Sequence, residues 1–153
     1  MTTDVILTVN SGSSSIKFAL FPANDPRADA VMRGKIAGIG NQPVVTAIRD
    51  GQPITFAAPL GSVAPDAKHP WLIDQLLRRL NEDFADLNPV AVGHRVVHGG
   101  QEFTGSAPVT PKSREAMGAL TPLAPLHQPM NLAALSVTAT PAGCGWISGW
   151  LPL

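Results

Sequence analysis

Apolar residues near the N-terminus form two short runs separated by a polar segment. Residues 5–9 are almost continuously apolar, which is typical of a strand buried on both faces. Residues 16–21 alternate, so Ile16, Phe18 and Leu20 share one face of a second strand. We therefore predict a hairpin in which Asn10 and Lys17 stand on opposite sides of one small opening.

Three further apolar stretches predict strands at residues 31–39, 44–48 and 54–56. The Asp50-Gly51 pair between the last two is a strong hairpin-turn signal. Residues 57–68 are rich in Ala, Pro and Gly, which predicts a loop.

Residues 69–80 carry the clearest helical pattern of the chain. The apolar residues with helical spacing are Leu72, Ile73, Leu76, Leu77 and Leu80. Pro70 fits the first turn, and the pair Arg78-Arg79 indicates a solvated face. We predict that Asn88-Pro89 closes this element before a short buried strand at residues 90–92.

That strand continues into the segment Gly93-His94-Arg95-Val96-Val97-His98-Gly99-Gly100. The two histidines stand four residues apart, which on a helix would suggest a metal site, but the flanking glycines and paired valines favour a strand. On a strand, His94, Val96 and His98 share one face, and Arg95 and Val97 share the other. A guanidinium beside an apolar side chain suits a small ligand with a carboxylate end and a methyl end. A structural ion pair for Arg95, with both histidines in the core or hydrogen-bonded, remains the alternative.

The last third of the chain predicts two helices around a loop. Thr110-Pro111 resembles an N-cap and a first helical residue, starting a helix that extends to about Leu120. Residues 123–129 form a proline-fixed loop that carries His127, and residues 131–137 begin another helix. Residues 138–153 have no charge and no period, so we predict neither a continued helix nor a strand there.

The polar segment between the first two strands has the composition of an anion site. Gly12 permits positive φ and close approach of a ligand, the Ser13-Ser14-Ser15 hydroxyls can donate hydrogen bonds, and Lys17 adds a full positive charge. Successive backbone N–H groups in such a turn can also form an anion-binding concavity. An ordinary serine-rich β-turn is the alternative.

Composition limits the classes of partner. The chain has 153 residues, the size of one domain, and its 11 basic and 11 acidic residues balance, so no overall field favours nucleic acid or an anionic membrane surface. No apolar run approaches the ~20 residues that cross a bilayer. Cys144 is the only cysteine, so an internal disulfide is impossible. These features predict a cytoplasmic protein.

Three separated motifs occur in the order of a known family. They are Val9-Asn10-Ser11-Gly12-Ser13-Ser14-Ser15-Ile16-Lys17, then Gly93 to Gly100 as written above, and Leu123-Ala124-Pro125-Leu126-His127-Gln128-Pro129-Met130-Asn131-Leu132. Together they resemble the signatures of the acetate kinase (acetokinase) family over about residues 4–137. The uninterrupted serine run is more similar to acetate and propionate kinases than to butyrate kinases.

The resemblance implies a ribonuclease H-like α/β domain of the sugar kinase, Hsp70 and actin superfamily. It implies that ATP and substrate lie in a cleft between this domain and a second, similar one. The implied reaction is ATP plus acetate giving ADP plus acetyl phosphate with Mg²⁺, and full-length members are typically homodimers.

The resemblance also implies a role for each matched residue. The residues expected to hold the ATP phosphates and the water shell of the metal are Asn10, Ser13, Ser15 and Lys17. Arg95 would bind the acetate carboxylate or the moving phosphoryl group, Val97 would line the methyl pocket, and His127 would stabilise the phosphoryl group in transit. Phosphoryl transfer needs mainly in-line positioning and donors around the equatorial oxygens, and acetate is already ionised at neutral pH.

The chain departs from the family after Val137. Motifs expected further on are missing, among them a second phosphate-binding F-D-T-x-F-H stretch and an adenosine-binding motif. We therefore expect residues 1–137 to be an incomplete N-terminal domain and residues 138–153 to be a non-native or frameshifted tail. We expect the chain alone to be inactive, and a propionate kinase fragment or a non-catalytic phosphate-binding remnant are the alternatives.

Overall fold

The computed structural model describes residues 1–25, 27–56, 68–138 and 145–149. The strands are β1 Thr3–Ser11, β2 Ser15–Pro22, β3 Met32–Ala37, β4 Val44–Arg49, β5 Gln52–Ile54, β6 Leu87–Val96, β7 Ala107–Pro108 and β8 Gly145–Gly149. The helices are α1 His69–Asp83, α2 Pro111–Ala119 and α3 Gln128–Thr138, with a short 3₁₀ turn at Thr121–Leu123. The predicted loop at residues 57–68 lies outside the described residues except for Lys68.

The described strands form one mixed sheet in the order β5-β4-β3-β2-β1-β6-β8-β7. The first five strands pair antiparallel with their neighbours, β6 runs parallel to β1, and β8 runs parallel to β6. The parallel β1–β6 pair is reached by a crossover through α1, as parallel pairing requires.

The predicted N-terminal hairpin is confirmed, with Asn10 directly opposite Lys17. The prediction that β1 is buried on both faces is wrong. Val5, Leu7 and Val9 are buried, whereas the residues between them are half-buried. The reason is that the described helices pack on one face only, with the α1 leucines and Ala134 of α3 in the same core as β1 to β3.

The Asp50-Gly51 hairpin turn is also confirmed. Both residues have positive φ, 49° and 78°, as the two-residue turn of type I′ requires. Because pairing resumes at once with Arg49 opposite Gln52, β5 lies two residues earlier than predicted.

Helix α1 begins at the predicted residue and extends three residues beyond the predicted end. The prediction that Asn88-Pro89 closes this element is wrong, because both residues lie inside β6. The β1–β6 register shifts at this point, since Val5 pairs with Pro89 and Ile6 pairs with Ala91. The intervening residue Val90 forms a bulge, a place where a proline without an N–H is tolerated in a strand.

The capped start of α2 is confirmed: the Thr110 hydroxyl accepts from the Ser113 N–H at 3.1 Å, and the Ser113 hydroxyl accepts from the Thr110 N–H at 2.8 Å. Helix α3 begins at Gln128, three residues earlier than predicted, with Pro129 in its first turn.

The prediction of no strand in the tail is wrong. β8 pairs with both β6 and β7, because an open sheet edge supplies backbone partners that a local pattern does not reveal. Residues 139–144 and 150–153 lie outside the described residues.

Val96, Met117 and Leu135 form a second, smaller core where β6, α2 and α3 meet. Among the described residues, no helix has the length and apolar character needed to cross a membrane.

Candidate functional site

A groove of about 190 Å³ lies on the open face of the sheet, where β1, β2 and β6 meet. The polar side chains in its lining include Asn10, Lys17 and Arg95. Their convergence follows from register. Asn10 pairs with Lys17, and Asn10 and Arg95 each come one residue after the paired Val9 and His94. Since side chains alternate along strands, all three face away from the core.

The charge of this groove is positive and uncompensated within the described part of the chain. Lys17 and Arg95 form no ion pair with any described residue, and no carboxylate lines the groove. The alternative of a structural ion pair for Arg95 therefore finds no support among these residues. The groove is suited to an anion.

The serine turn, residues 12–15, is closed by a local backbone hydrogen bond. The Gly12 N–H donates to the Ser15 carbonyl at 2.8 Å, and Gly12 is not among the described glycines with positive φ. Gly12 therefore does not use the left-handed conformation that a glycine permits. This bond also occupies one backbone N–H that a ligand would otherwise use. The exposed Ser13 and half-buried Ser15 leave their hydroxyls as candidate donors.

Separate elements hold the carbonyl oxygens around the serine turn. His69 at the start of α1 lies with Nε2 2.7 Å from the Gly12 carbonyl oxygen, and since a carbonyl can only accept, His69 donates. The Ile39 N–H donates to the Ser14 carbonyl at 3.2 Å, and Asn131 Nδ2 donates to the Ser11 carbonyl at 2.8 Å. His69 lies in none of the three motifs, and Asn131 lies in the third motif without a predicted role at the site.

The predicted faces of the β6 segment are confirmed for residues 94–96. His94 and Val96 are buried at 2% and 3% exposure, whereas Arg95 is half-buried on the open side. β6 ends at Val96, so the predicted alternation does not extend to Val97 and His98; Val97 is 37% exposed and is not part of the groove lining. Burial lowers the pKa of His94 to about 4, so this imidazole is neutral at pH 7.

The remaining histidines of the motifs differ in environment. His98 Nδ1 accepts from the Gly100 N–H at 3.0 Å, and the His98 carbonyl accepts from Gln128 Nε2 at 3.3 Å. His98 is thus hydrogen-bonded, as the structural alternative for the histidines predicts. His127 lies in the exposed turn before α3 and is not part of the groove lining.

The described residues contain no group of three or more His, Cys, Asp and Glu side chains that could hold a metal directly. Mg²⁺ commonly keeps several waters and is held partly by substrate phosphates. The residues present fit that mode only, with the Asn10 amide oxygen able to accept a hydrogen bond from a metal-bound water.

Comparison with known proteins places these motifs in one family. The sequence model of the Acetokinase family matches residues 5–141. The chain is 38% identical over 140 residues to the acetate kinase of Rhodopseudomonas palustris, covering 89% of this chain and 34% of that protein. It is 34% identical over 131 residues to a propionate kinase of Escherichia coli, covering 86% of this chain and 30% of that protein.

Solved structures give the same result for the fold. The acetate kinase of Porphyromonas gingivalis matches with a TM-score of 0.77 at 27% identity, over 95% of this chain and 37% of that one. A propionate kinase from Francisella tularensis matches with a TM-score of 0.76 at 28% identity, over 97% of this chain and 37% of that one. The chain therefore spans about a third of the length of the relatives it matches. The predicted α/β fold, that of a partial N-terminal ribonuclease H-like domain, is confirmed, and the chain belongs to the acetokinase family.

Proposed function

We propose that this chain is the N-terminal part of a phosphotransferase that converts ATP and acetate to ADP and acetyl phosphate. The observation that carries the proposal is the groove in which Lys17 and Arg95 converge without a carboxylate beside them. Both the phosphates of ATP and the carboxylate of acetate are anions that such a groove attracts.

In this proposal the serine turn and β2 form the phosphate side of the site. The exposed Ser13 and half-buried Ser15 donate hydroxyl hydrogen bonds, and Lys17 supplies charge at the end of the turn. Asn10, opposite Lys17, contacts the water shell of Mg²⁺. When bound, Mg²⁺ neutralises charge on the phosphate oxygens.

Arg95 and Val97 form the acetate side of the site. The guanidinium binds the carboxylate or the moving phosphoryl group, and the exposed Val97 contacts the methyl group. His127, exposed in the turn before α3, donates to the phosphoryl group when substrates are bound. Because the acetate oxygen is already ionised at neutral pH, no general base is required.

A chimaera tests this proposal. Residues 5–137 of this chain replace the matching segment of the Rhodopseudomonas palustris acetate kinase, and acetyl phosphate is trapped with hydroxylamine. We expect turnover, and we expect Arg95→Ala to reduce it by about 100-fold or more, since a charged donor to the reacting group is lost. Arg95→Lys, which keeps the charge but not the bidentate geometry, is the matched control. Its turnover should lie between that of the unmodified chimaera and that of Arg95→Ala. A folded chimaera that binds ATP and turns over equally well with Arg95→Ala would contradict the proposal.

Propionate is the second candidate substrate. Its support is the similarity to propionate kinases, at 34% sequence identity for one relative and a TM-score of 0.76 for a solved structure. The ratio of kcat/KM for acetate and propionate in the same chimaera decides between them, and a ratio below one would favour propionate. A chimaera that binds tripolyphosphate but never turns over would instead favour a non-catalytic phosphate-binding remnant.

We further propose that residues 1–137 are the family domain and residues 138–153 a non-native tail, supported by the absence of charge in the tail. The family match extends four residues into this tail, and β8 within it pairs with β6 and β7. A stretch encoding F-D-T-x-F-H in a shifted frame beyond codon 137 would be the expected finding in the source gene, and an intact frame ending at Leu153 would contradict it. We also propose a cytoplasmic location, where ATP is present. The full-length protein is proposed to form homodimers.

A further inference from the structure

The ladder between β1 and β6 ends before the two strands reach the segments that flank the groove. Its last pair joins Val9 to His94. Ser11, which enters the serine turn, and Val97, which follows the last residue of β6, both lie beyond that pair. The spacing between the phosphate side and the acetate side therefore depends on something other than this ladder.

The side chain of Asn131 makes that connection. Its Nδ2 donates to the Ser11 carbonyl at 2.8 Å, and its Oδ1 accepts from the Val97 N–H at 3.0 Å. Asn131 is 1% exposed, so both bonds are shielded from water. The two partners determine the orientation of the Asn131 amide. If its N and O were exchanged, the amide oxygen would face the Ser11 carbonyl oxygen and the amide NH₂ would face the Val97 N–H, and neither hydrogen bond could form.

The backbone of Asn131 also contacts the turn that carries His127. The Asn131 N–H donates to the His127 carbonyl at 3.1 Å, in the first turn of α3. One residue thus contacts the end of β1, the end of β6 and the turn that carries His127.

We propose that Asn131 is a positioning residue that sets the distance between the serine turn and the Arg95–Val97 segment. This inference rests on the proposed function, in which the serine turn binds phosphate and the Arg95–Val97 segment binds the carboxylate substrate. Group transfer is sensitive to misplacement of about 1 Å, so a fixed spacing between the two sides matters for the reaction. Asn131 itself touches neither substrate.

Gln128 offers a matched control one turn earlier on α3. It is 0% exposed, and its Nε2 donates to the carbonyls of Met117 and His98 at 3.1 and 3.3 Å. Like Asn131 it is a buried amide with two long-range bonds, but neither of its bonds reaches the serine turn. Replacing each by Ala separates a positioning effect from a general loss of stability.

The test compares the ¹⁵N-labelled 153-residue chain with its Asn131→Ala and Gln128→Ala variants. Inorganic tripolyphosphate with Mg²⁺ is the probe, and amide exchange of Val97 is followed in parallel. We expect Asn131→Ala to weaken tripolyphosphate binding and to speed Val97 exchange, each by about tenfold, the size of one or two lost buried hydrogen bonds. Gln128→Ala should keep the affinity for tripolyphosphate within about twofold of that of the unmodified chain. Its loss of stability towards urea should be comparable to that of Asn131→Ala.

Asn131→Asp separates the two hydrogen bonds of the side chain. The ionised carboxylate keeps the acceptor for the Val97 N–H and loses the donor to the Ser11 carbonyl. We expect Val97 to stay protected while the amide resonances of residues 12–15 shift.

Equal weakening of tripolyphosphate binding by Asn131→Ala and Gln128→Ala would overturn the inference, as would unchanged Val97 exchange in Asn131→Ala. For Asn131→Asp, unshifted resonances at residues 12–15 would do the same. If the unmodified chain does not bind tripolyphosphate at all, the proposed phosphate-binding role of the serine turn fails. The exchange of Val97 and the resonances of the serine turn still decide the role of Asn131.

Discussion

At the scale of single residues, neighbours on β6 have opposite environments. His94 is buried in the core at 2% exposure, and Arg95 lines the groove. In the chimaera we therefore expect Arg95→Ala to reduce turnover far more than His94→Ala does, relative to the amount of folded protein. The reverse ranking in a hydroxamate assay would contradict the assignment of Arg95 to the reacting side.

His94 also makes stability depend on pH. Its pKa is about 4 in the folded protein and near 6.5 when unfolded, so protonation favours the unfolded chain. The free energy of unfolding should be highest above pH 6.5 and fall by up to roughly 3 kcal/mol as the pH decreases towards 4. Urea denaturation at pH 7 and 4.5 measures this loss.

The control for this prediction is His94→Gln, which cannot titrate and should show a flatter pH dependence. Asp86 does not obscure the comparison. Its hydrogen bond from Arg49 lowers the Asp86 pKa below the ordinary 3.8, so the stability from that carboxylate is lost only at lower pH. An identical pH dependence for the unmodified chain and His94→Gln would refute the assignment.

At the scale of the elements, the packing between β2 and β3 requires a residue without a Cβ at position 34. Gly34 lies directly opposite Phe18, and a Cβ at Gly34 would overlap the ring of Phe18, which is 3% exposed. We expect Gly34→Ala to lower the free energy of unfolding by about 1–3 kcal/mol, since the packed ring cannot move without opening the core.

Gly118 in α2 is the matched control, because nothing lies within 4 Å of a Cβ built there. Gly118→Ala should be neutral or stabilise the chain by up to about 1 kcal/mol through its higher helix propensity. Urea unfolding of both variants gives the comparison. A tolerated Gly34→Ala would mean that Phe18 packs elsewhere.

Local sequence patterns determine some features of these strands and helices but not others. Alternation in β2 and β6 correctly separated Phe18 from Lys17 and His94 from Arg95. The bulge beside Pro89 was not predicted, because it depends on the partner strand. The start of α3 at Gln128 was not predicted either, although Pro129 in its first turn is a local signal for it.

The site could be predicted only in part, because several of its contacts depend on the tertiary arrangement. The hairpin pattern predicted Asn10 opposite Lys17, whereas the convergence of Arg95 with them was implied only by the family resemblance and follows from the register of β1 and β6. The bonds from His69 to Gly12 and from Asn131 to Ser11 span 57 and 120 residues of sequence. The tertiary arrangement determines partners at such separations. Asn131 lies within the third motif, but that motif does not identify Ser11 as its partner, and His69 lies in none of the three motifs.

At the scale of the whole molecule, the groove is open. It lies on the face of the sheet that the described helices leave uncovered, and the chain spans about a third of its relatives. Electrostatic stabilisation of a transferring phosphoryl group requires donors on several sides and exclusion of water. We therefore expect the 153-residue chain alone to form no acetyl phosphate above background when hydroxylamine traps the product. Turnover by this chain that Arg95→Ala abolishes would contradict that expectation.

In the proposed site, Lys17 and the serine turn bind phosphate while Arg95 binds the carboxylate substrate. The most direct measurement is a ¹⁵N NMR titration of the chain, first with tripolyphosphate and Mg²⁺ and then with acetate. We predict shifts from tripolyphosphate at residues 12–17, lost in Lys17→Met, and shifts from acetate at residues 95–97, lost in Arg95→Ala. Shifts confined to other surfaces, or shifts that persist unchanged in both variants, would show that Lys17 and Arg95 do not bind these two anions.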